Sequence, residues 1–294
     1  MLSIVRALLE NMRPKQWAKN AFVFAGIVFD QKLDERDPLL RVVVAFILLC
    51  LSASCIYLIN DLVDLEKDRQ HPKKKNRPIA SGRLPVPVAI AGAVIFPVIA
   101  LGVAVSYSLE LAAVLVLYIG LHIVYSFYLK SLVIIDVFAI AAGFILRVVA
   151  GVVVIEVERF SPWLYVCAGL LSLFLAIGKR RQELVMLGEN AVNTRQIFKH
   201  YNLNMLNDML RMTIASAAIA YTLYAIEAET LLAKPEYMLM TVPFVYYGLF
   251  RYIYVIDVKN HGGDPTEVLF EDHALQVGIA AWGLLVVVLL YFVE

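Results

Sequence analysis

The sequence predicts an all-α fold: a polytopic membrane helical bundle of about nine transmembrane helices, with the N-terminus in the cytoplasm and the C-terminus outside. Three observations predict it. The 294 residues are 61% hydrophobic with a mean hydropathy of +0.75, whereas a soluble domain is nearer half apolar. Apolar runs of about 20 residues recur along the chain, the length at which a helix crosses a hydrocarbon core ~30 Å thick. Lys and Arg gather in alternate connecting segments, as they do in loops kept on the cytoplasmic side.

The runs fall at 17–31, 39–60, 86–106, 109–128, 132–155, 162–178, 212–229, 238–256 and 273–293. The first is short. The stretch before it, "MLSIVRALLENMRPKQWAKN", has no continuous apolar core followed by a small-residue cleavage site, so no signal peptide is expected. Residues 1–16 are instead read as a short amphipathic segment along the membrane surface. The second run leads straight into Asn60 and a group of aspartates. The fourth ends at Tyr125 and Lys130, and the fifth carries Asp136 and Arg147. The sixth opens onto the basic "GKRR", and "HGGDPTEVLFEDHAL" precedes the ninth. In that stretch Asp264-Pro265 reads as a helix start, with Asp as cap, Pro at the first position and Glu267 as a first-turn acid; such a helix end can also bind phosphate.

Net charge is +1 and says little; placement says more. Segments 1–16, 61–85, 129–131, 179–211 and 257–272, with Lys19, hold 19 of the 26 Lys and Arg residues. The opposite side holds Lys32, Arg36, Arg159 and Lys234, while Arg41, Arg147 and Arg251 lie within runs. This asymmetry sets the orientation and supports an odd number of spans. The long polar loops then all face the cytoplasm. No polar stretch is long enough for a second soluble domain, so residues 1–294 are read as one integral membrane domain in the cell membrane. Cys50, Cys55 and Cys167 lie inside apolar runs without metal-ligand spacing, which argues for small core residues.

The chemistry is expected in "INDLVDLEKDRQHPKKKNRPIASGRLP", residues 59–85. If the second helix continues, Asp61, Asp64 and Asp68 fall within about 60° on one face, two turns long. Glu66 falls opposite. Like charges on one stripe cost a bare helix free energy, and a divalent cation removes that cost. Oxygen ligands with no His or Cys nearby suit magnesium, which takes one or two carboxylates and leaves its other positions to water and phosphate. Lys73, Lys74, Lys75, Arg77 and Arg83 follow, with Pro and Gly between them. Such a loop can fold over phosphates or serve only as a basic loop touching anionic lipid heads.

"NDLVDLEKD" followed by "NRPIASG" resembles the first aspartate-rich motif of the UbiA-type superfamily of intramembrane prenyltransferases. The resemblance covers essentially the whole chain. It implies nine helices, cytoplasmic polar loops and a magnesium-diphosphate site with Asp61, Asp64 and Asp68 as metal ligands and Asn60 beside them. Typical members carry a second aspartate pair after the sixth span. Here "AIGKRRQELVML" puts Lys179, Arg180 and Arg181 there and keeps only Glu183. Together with Arg13, Lys15 and Lys19 in "MRPKQWAKN", this is similar to one branch, the polyprenyl-phosphate phosphoribosyltransferases of the decaprenyl-phosphate type.

That resemblance implies a phosphoribosyl diphosphate donor, a polyprenyl phosphate acceptor, a magnesium cofactor and the bilayer as partner. Nucleic acid is not expected, and a homo-oligomer is left open. Asp61, Asp64, Lys179 and Tyr125 are the implied catalytic residues. Lys15, Lys19, Asn60, Arg77, Arg83, Lys130, Asp136, Arg147, Arg180 and Glu183 are the implied substrate contacts, with no assignment of the bases between the two phosphates. Asp136 and Arg147 are eleven residues apart and share a helix face. The reading for them divides between a polar cavity wall and a structural ion pair with another helix. His71 and His200 have no partner at ligand spacing, His261 and His273 read as interfacial and not as metal ligands, and Glu189 and Asp208 read as solvated charges. The rival readings are an ordinary prenyltransferase with an aromatic acceptor and, from another class, a transporter or lipid-binding protein. The missing second aspartate pair weighs against the former. The lack of evident inverted repeats weighs against the latter.

Overall fold

The computed structural model describes residues 2–70, 74–155, 157, 161–188, 196–227, 235–259, 268–269 and 271–293. All regular structure among them is helical. In chain order it comprises α1 (Leu2–Asn11), a 3-10 helix (Pro14–Phe24), α2 (Ala25–Phe29), α3 (Arg36–Val63) and α4 (Leu65–Gln70). A short 3-10 turn (Lys74–Asn76) then leads to α5 (Val86–Tyr107) and α6 (Leu109–Phe127), and a second (Leu129–Ser131) to α7 (Ile135–Val154). After α8 (Pro162–Leu187) come a 3-10 turn (Gln196–Lys199), α9 (Leu203–Glu227), α10 (Pro235–Met238), a 3-10 turn (Leu239–Thr241), α11 (Val242–Asp257) and α12 (His273–Tyr291). Among the described residues, eight helical runs are long and apolar enough to cross a membrane: α3, α5, α6, α7, α8, α9, Leu239–Asp257 and α12.

Three expected spans are built differently. The run at 17–31 is a 3-10 helix followed by the five residues of α2. It starts at Pro14, after Arg13 in the left-handed region at φ 54°, and its polar side chains are tied to α3. Trp17 Nε1 donates to Ser54 Oγ (3.3 Å), and Asn20 Nδ2 donates to Cys50 Sγ (3.3 Å). The run at 162–178 continues to Leu187, so "GKRR" is helical and not a loop. The run at 212–229 begins earlier, at Leu203. Both extensions have one cause. Leu184 and Leu187 pack on the same core as Ile197, Leu206 and Leu210, so the apolar stripe outlasts the run that hydropathy detects. The expected helix start at Asp264-Pro265 lies outside the described residues.

The chain divides into two compact units. The first comprises Met1–Ile27, Leu33–Phe127 and Leu146–Val157. Its centre is α3, which packs on α5, α6 and the Pro14–Phe24 helix. Small residues Ser52, Ala53, Ser54 and Cys55 are buried there, the composition that lets membrane helices approach closely. Ser52 and Ser54 return their hydroxyl protons to the carbonyls of Leu48 (2.8 Å) and Cys50 (2.7 Å), so neither is left unmet in an apolar setting. The tightest approach is at Gly151, where an added Cβ would stand 1.8 Å from the Val23 carbonyl oxygen.

The second unit comprises Val28–Lys32, Tyr128–Ile145 and Glu158–Glu294. α8 pairs with α9, and α11 with both α9 and α12. Their core holds Phe174, Ile177, Leu206, Tyr252 and Ile256. α12 is capped by Asp272, whose carboxylate accepts the Leu275 N–H (2.9 Å). The same carboxylate takes Arg251 through Nε and Nη2 (3.0 Å each) and Lys259 Nζ (2.9 Å).

Two outcomes follow from this packing. Gly151→Ala should destabilise the protein by about 1–3 kcal/mol, because backbone and not a flexible side chain blocks the methyl group; a lowered thermal midpoint in detergent checks this. Arg251, first, then Lys259 and the Leu275 N–H, hold the Asp272 carboxyl well below its ordinary 3.8. Its contribution is therefore present above that value and is lost as pH falls through the folded-state value. Thermal midpoints measured against pH should fall more steeply in acid for the native protein than for Asp272→Asn.

Candidate active site

In the first unit α3 ends at Val63, and Asp64 caps it at φ −90°, ψ 9°. The Asp64 N–H still bonds the Asn60 carbonyl (2.9 Å), and the Asp68 N–H bonds the Asp64 carbonyl (2.8 Å). The chain thus carries on into α4 almost as one helix. Asp61 and Asp68 are buried, at 3% and 2% exposure, and both meet the same base. Arg77 Nη1 lies 3.0 Å from Asp61 Oδ1 and 2.6 Å from Asp68 Oδ2. Arg13 Nη2 reaches the same Asp61 oxygen at 2.6 Å and lies over the Tyr57 ring, 4.9 Å from its centroid. The cost of gathered carboxylates is met here by guanidinium groups.

The loop that carries Arg77 is anchored by apolar residues on either side of its turn. Ile79 and Leu84 are buried against Ala7, Leu58 and Ala89. Gly82 supplies the left-handed turn at φ 76°. Arg83 does not join the acids. It binds both oxygens of Glu10 (2.6 and 2.8 Å) and the Asn76 carbonyl (2.6 Å), which ties the loop to α1. That contact holds the Glu10 carboxyl below its ordinary value.

Asp64 is half-buried and makes no side-chain hydrogen bond or ion pair among the described residues. Asp61 Oδ2 is buried without a hydrogen-bond partner. Among the described residues no group of three or more His, Cys, Asp or Glu side chains is drawn together as a ready metal cage. The donor set nevertheless fits magnesium. It is all oxygen, it includes an unmet buried carboxylate oxygen, and this ion needs only one or two carboxylates when water and phosphate complete its octahedron. Asn60, Lys19 and Lys74 are half-buried in the same unit, while Lys15 and Lys75 are exposed. Lys73 and His71 lie outside the described residues.

Also in the first unit, Arg147 is buried at 6% exposure. Its Nε donates to Asn20 Oδ1 (2.8 Å) and its Nη2 to the Tyr118 hydroxyl (2.7 Å). Tyr125 is half-buried on α6.

The second unit gathers the rest. Asp136 and Arg180 are both fully buried and meet at 2.5 Å, Nε to Oδ2. Tyr201 donates its hydroxyl proton to Asp136 Oδ1 (2.7 Å). Arg180 Nη1 also contacts Glu183 (3.0 Å). The Tyr201 hydroxyl in turn accepts the N–H of Ile134 (2.8 Å), a β-branched residue held at φ 70°, where such residues are outliers. Burial first, and then Asp136, raise the Tyr201 hydroxyl above its ordinary pKa. Arg181 binds Asn207 (2.6 Å) and Asp257 (2.5 Å). Lys179 and Lys130 are half-buried.

Several expectations are corrected here. Arg180 does not stand open to a phosphate, because a fully buried Asp136 requires a cation and Arg180 is that cation. Asp136 makes the ion pair with another helix, one of its two readings, and Arg147 binds Asn20 and Tyr118 instead of a carboxylate. Arg83 clamps a loop. Sequence reasoning noted Arg13 without seeing it as the partner of Asp61, and it missed Asn20, Tyr118 and Tyr201. Only the base-before-proline in "MRPKQW" offered a local signal.

Removing one member of the buried pair should be costly. Arg180→Met should destabilise by about 3–5 kcal/mol, and the double variant Asp136→Asn/Arg180→Met should recover most of that loss. Chemical unfolding in detergent measures both. Unchanged stability in Arg180→Met would instead show that Asp136 does not need this cation.

A profile of the UbiA prenyltransferase family matches residues 21–270. The decaprenyl-phosphate phosphoribosyltransferase of Corynebacterium glutamicum is 34% identical over 98% of this chain and 88% of its own length. The protein of the same name from Mycolicibacterium smegmatis is 32% identical over 95% of this chain and 91% of its own. Among solved structures, a UbiA homolog from Archaeoglobus fulgidus bound to GPP and Mg2+ superposes with a TM-score of 0.72 at 17% identity, covering 96% of this chain and 99% of that one. Its DMAPP- and Mg2+-bound form gives 0.71, with 95% and 98% covered. The helices, the aspartate-rich loop and the near-complete match agree: the chain belongs to the UbiA prenyltransferase family and is a multi-pass membrane transferase.

Proposed function

We propose that the protein transfers 5-phosphoribose from phosphoribosyl diphosphate to a polyprenyl monophosphate of the decaprenyl type, releasing diphosphate, with magnesium as cofactor. The observation that carries this reading is the buried Asp61–Asp68 pair held by Arg13 and Arg77, an arrangement of fixed carboxylates and exchangeable positive charge suited to a metal diphosphate. The name shared by relatives that match nearly end to end supports the choice of substrates. The whole chain is read as one catalytic domain of the cell membrane, its polar ends on the cytoplasmic side, where the Lys and Arg residues gather.

Asp61 and Asp64, with Asp68, would hold the ion, with Asn60 beside them. When bound, magnesium neutralises the diphosphate and stabilises it as a leaving group. In the reaction the bond from the anomeric carbon to the diphosphate oxygen breaks, and the electron pair leaves with the diphosphate. An oxygen of the acceptor phosphate forms the new bond to that carbon. The acceptor oxygen is already anionic near neutral pH, so the chain need not supply a strong base. It must instead hold several phosphates near one another, which takes fixed positive charge. In the first unit the candidates are Lys15, Lys19 and Arg77, with Tyr125 as a hydroxyl donor; in the second, taken by itself, they are Lys130 and Lys179. Arg180, held by Asp136 and Glu183, positions its neighbour Lys179, and Arg147 braces the first unit through Asn20 and Tyr118.

A transfer assay in detergent tests the reading. Labelled phosphoribosyl diphosphate, magnesium and a polyprenyl monophosphate should yield label in the organic phase. Asp64→Asn should lower that rate at least about a hundredfold while the protein stays folded. Turnover of a prenyl diphosphate with an aromatic acceptor, and none of the sugar donor, would assign the chain to the ordinary branch. That is the rival that the GPP- and DMAPP-bound structural neighbours favour.

A further inference from the structure

Asp61 carries more than a metal ligand needs. Its Oδ1 receives both Arg13 Nη2 (2.6 Å) and Arg77 Nη1 (3.0 Å), while its Oδ2 is buried and unmet. Arg77 also holds Asp68. Asp61 and Asp68 are balanced by the two guanidinium groups, so of the three acids only Asp64 is left to draw a cation in. A bare divalent cation entering this cluster would meet two like charges at close range and be disfavoured. A cation arriving with a diphosphate meets a different situation, because the phosphate oxygens are better bidentate partners for guanidinium than one shared carboxylate oxygen.

Both arginine side chains are partly exposed, at 31% and 28%, and so have room to turn. The Arg77 loop is pinned by Ile79 and Leu84, so the exchange needs side-chain rotation and no movement of the backbone anchors.

We propose that Arg13 and Arg77 are exchangeable counter-ions: they occupy Asp61 and Asp68 until a diphosphate donor arrives, then transfer to its phosphates and release the carboxylates to the metal. Binding of cation and donor is thereby mutually dependent, and Arg13 becomes a donor-binding residue. The inference rests on the reading of this cluster as a metal-diphosphate site.

The test is Mn2+ binding to the detergent-purified protein, read by electron paramagnetic resonance with and without phosphoribosyl diphosphate, with Asp61→Asn as the baseline for Mn2+ complexed in solution. The native protein should bind Mn2+ weakly alone and at least about tenfold more tightly with the donor, as expected for coupled sites. Arg13→Gln and Arg77→Gln should bind bare Mn2+ about tenfold more tightly than the native protein and lose most of the donor enhancement. Arg77→Lys, which keeps the charge, should stay weak for bare Mn2+. Thermal transitions show that each variant is folded. Native-like Mn2+ affinity in folded Gln variants, alongside intact donor coupling, would overturn this proposal alone. Failure of the native protein to bind Mn2+ above the Asp61→Asn baseline, with or without donor, would overturn the underlying site and the proposal together.

Discussion

A carboxylate set at the end of an apolar helix needs positive charge, and the arrangement of both units follows from that need. Asp61 sits at the last turn of α3, buried at 3% exposure. Its partners are far away in sequence: Arg13 is 48 residues upstream and Arg77 is 16 downstream. To deliver them, the chain must leave α1 by a left-handed residue and return from α4 through a pinned turn. Asp136 imposes the same demand on the second unit. It engages Arg180 and Tyr201, and through Tyr201 it holds Ile134 in a backbone region the residue would otherwise avoid. Unpaired, either carboxylate would cost several kcal/mol; paired, each becomes a fixed point around which loops are arranged.

Arg147 follows a related logic with neutral partners. Asn20 and Tyr118 accept its protons, and the Tyr118 ring lies 4.9 Å from its guanidinium carbon. A helix that is apolar apart from Asp136 can carry such a group only because other segments supply its hydrogen bonds. The polar residues inside these helices therefore mark where segments must meet. They constrain packing as firmly as the small residues of α3 do.

Local patterns made the helices legible. The expected bounds of the runs that became α5, α6 and α12 differ from the helices by a residue or two, because Pro85, Ser108 and Asp272 end or start them locally. The helical wheel also brought Asp61 and Asp68 to one face, and they do share Arg77. Hydropathy failed where a helix outran its apolar run. α8 keeps packing through Leu184 and Leu187 although Lys179, Arg180 and Arg181 interrupt the apolar sequence. The partners were illegible for a different reason. Arg180 and Asp136 are 44 residues apart, and Tyr201 and Asp136 are 65 apart, and no periodicity reports on such distances. Lys179 and Arg180 of "GKRR" therefore read as phosphate-facing bases, whereas the fold commits Arg180, and Arg181 beside it, to carboxylates.

The loop from Lys74 to Leu84 separates two kinds of basic residue that look alike in sequence. Arg77 lies just ahead of the buried anchors Ile79 and Leu84 and binds buried acids; Lys75 is exposed at the loop surface. Drift over generations can therefore act on the two independently. Exchanging the outer lysine alters the charge that the loop surface presents, while the anchored turn keeps the inner arginine in register. One short segment thus carries a variable surface charge and a fixed buried pairing.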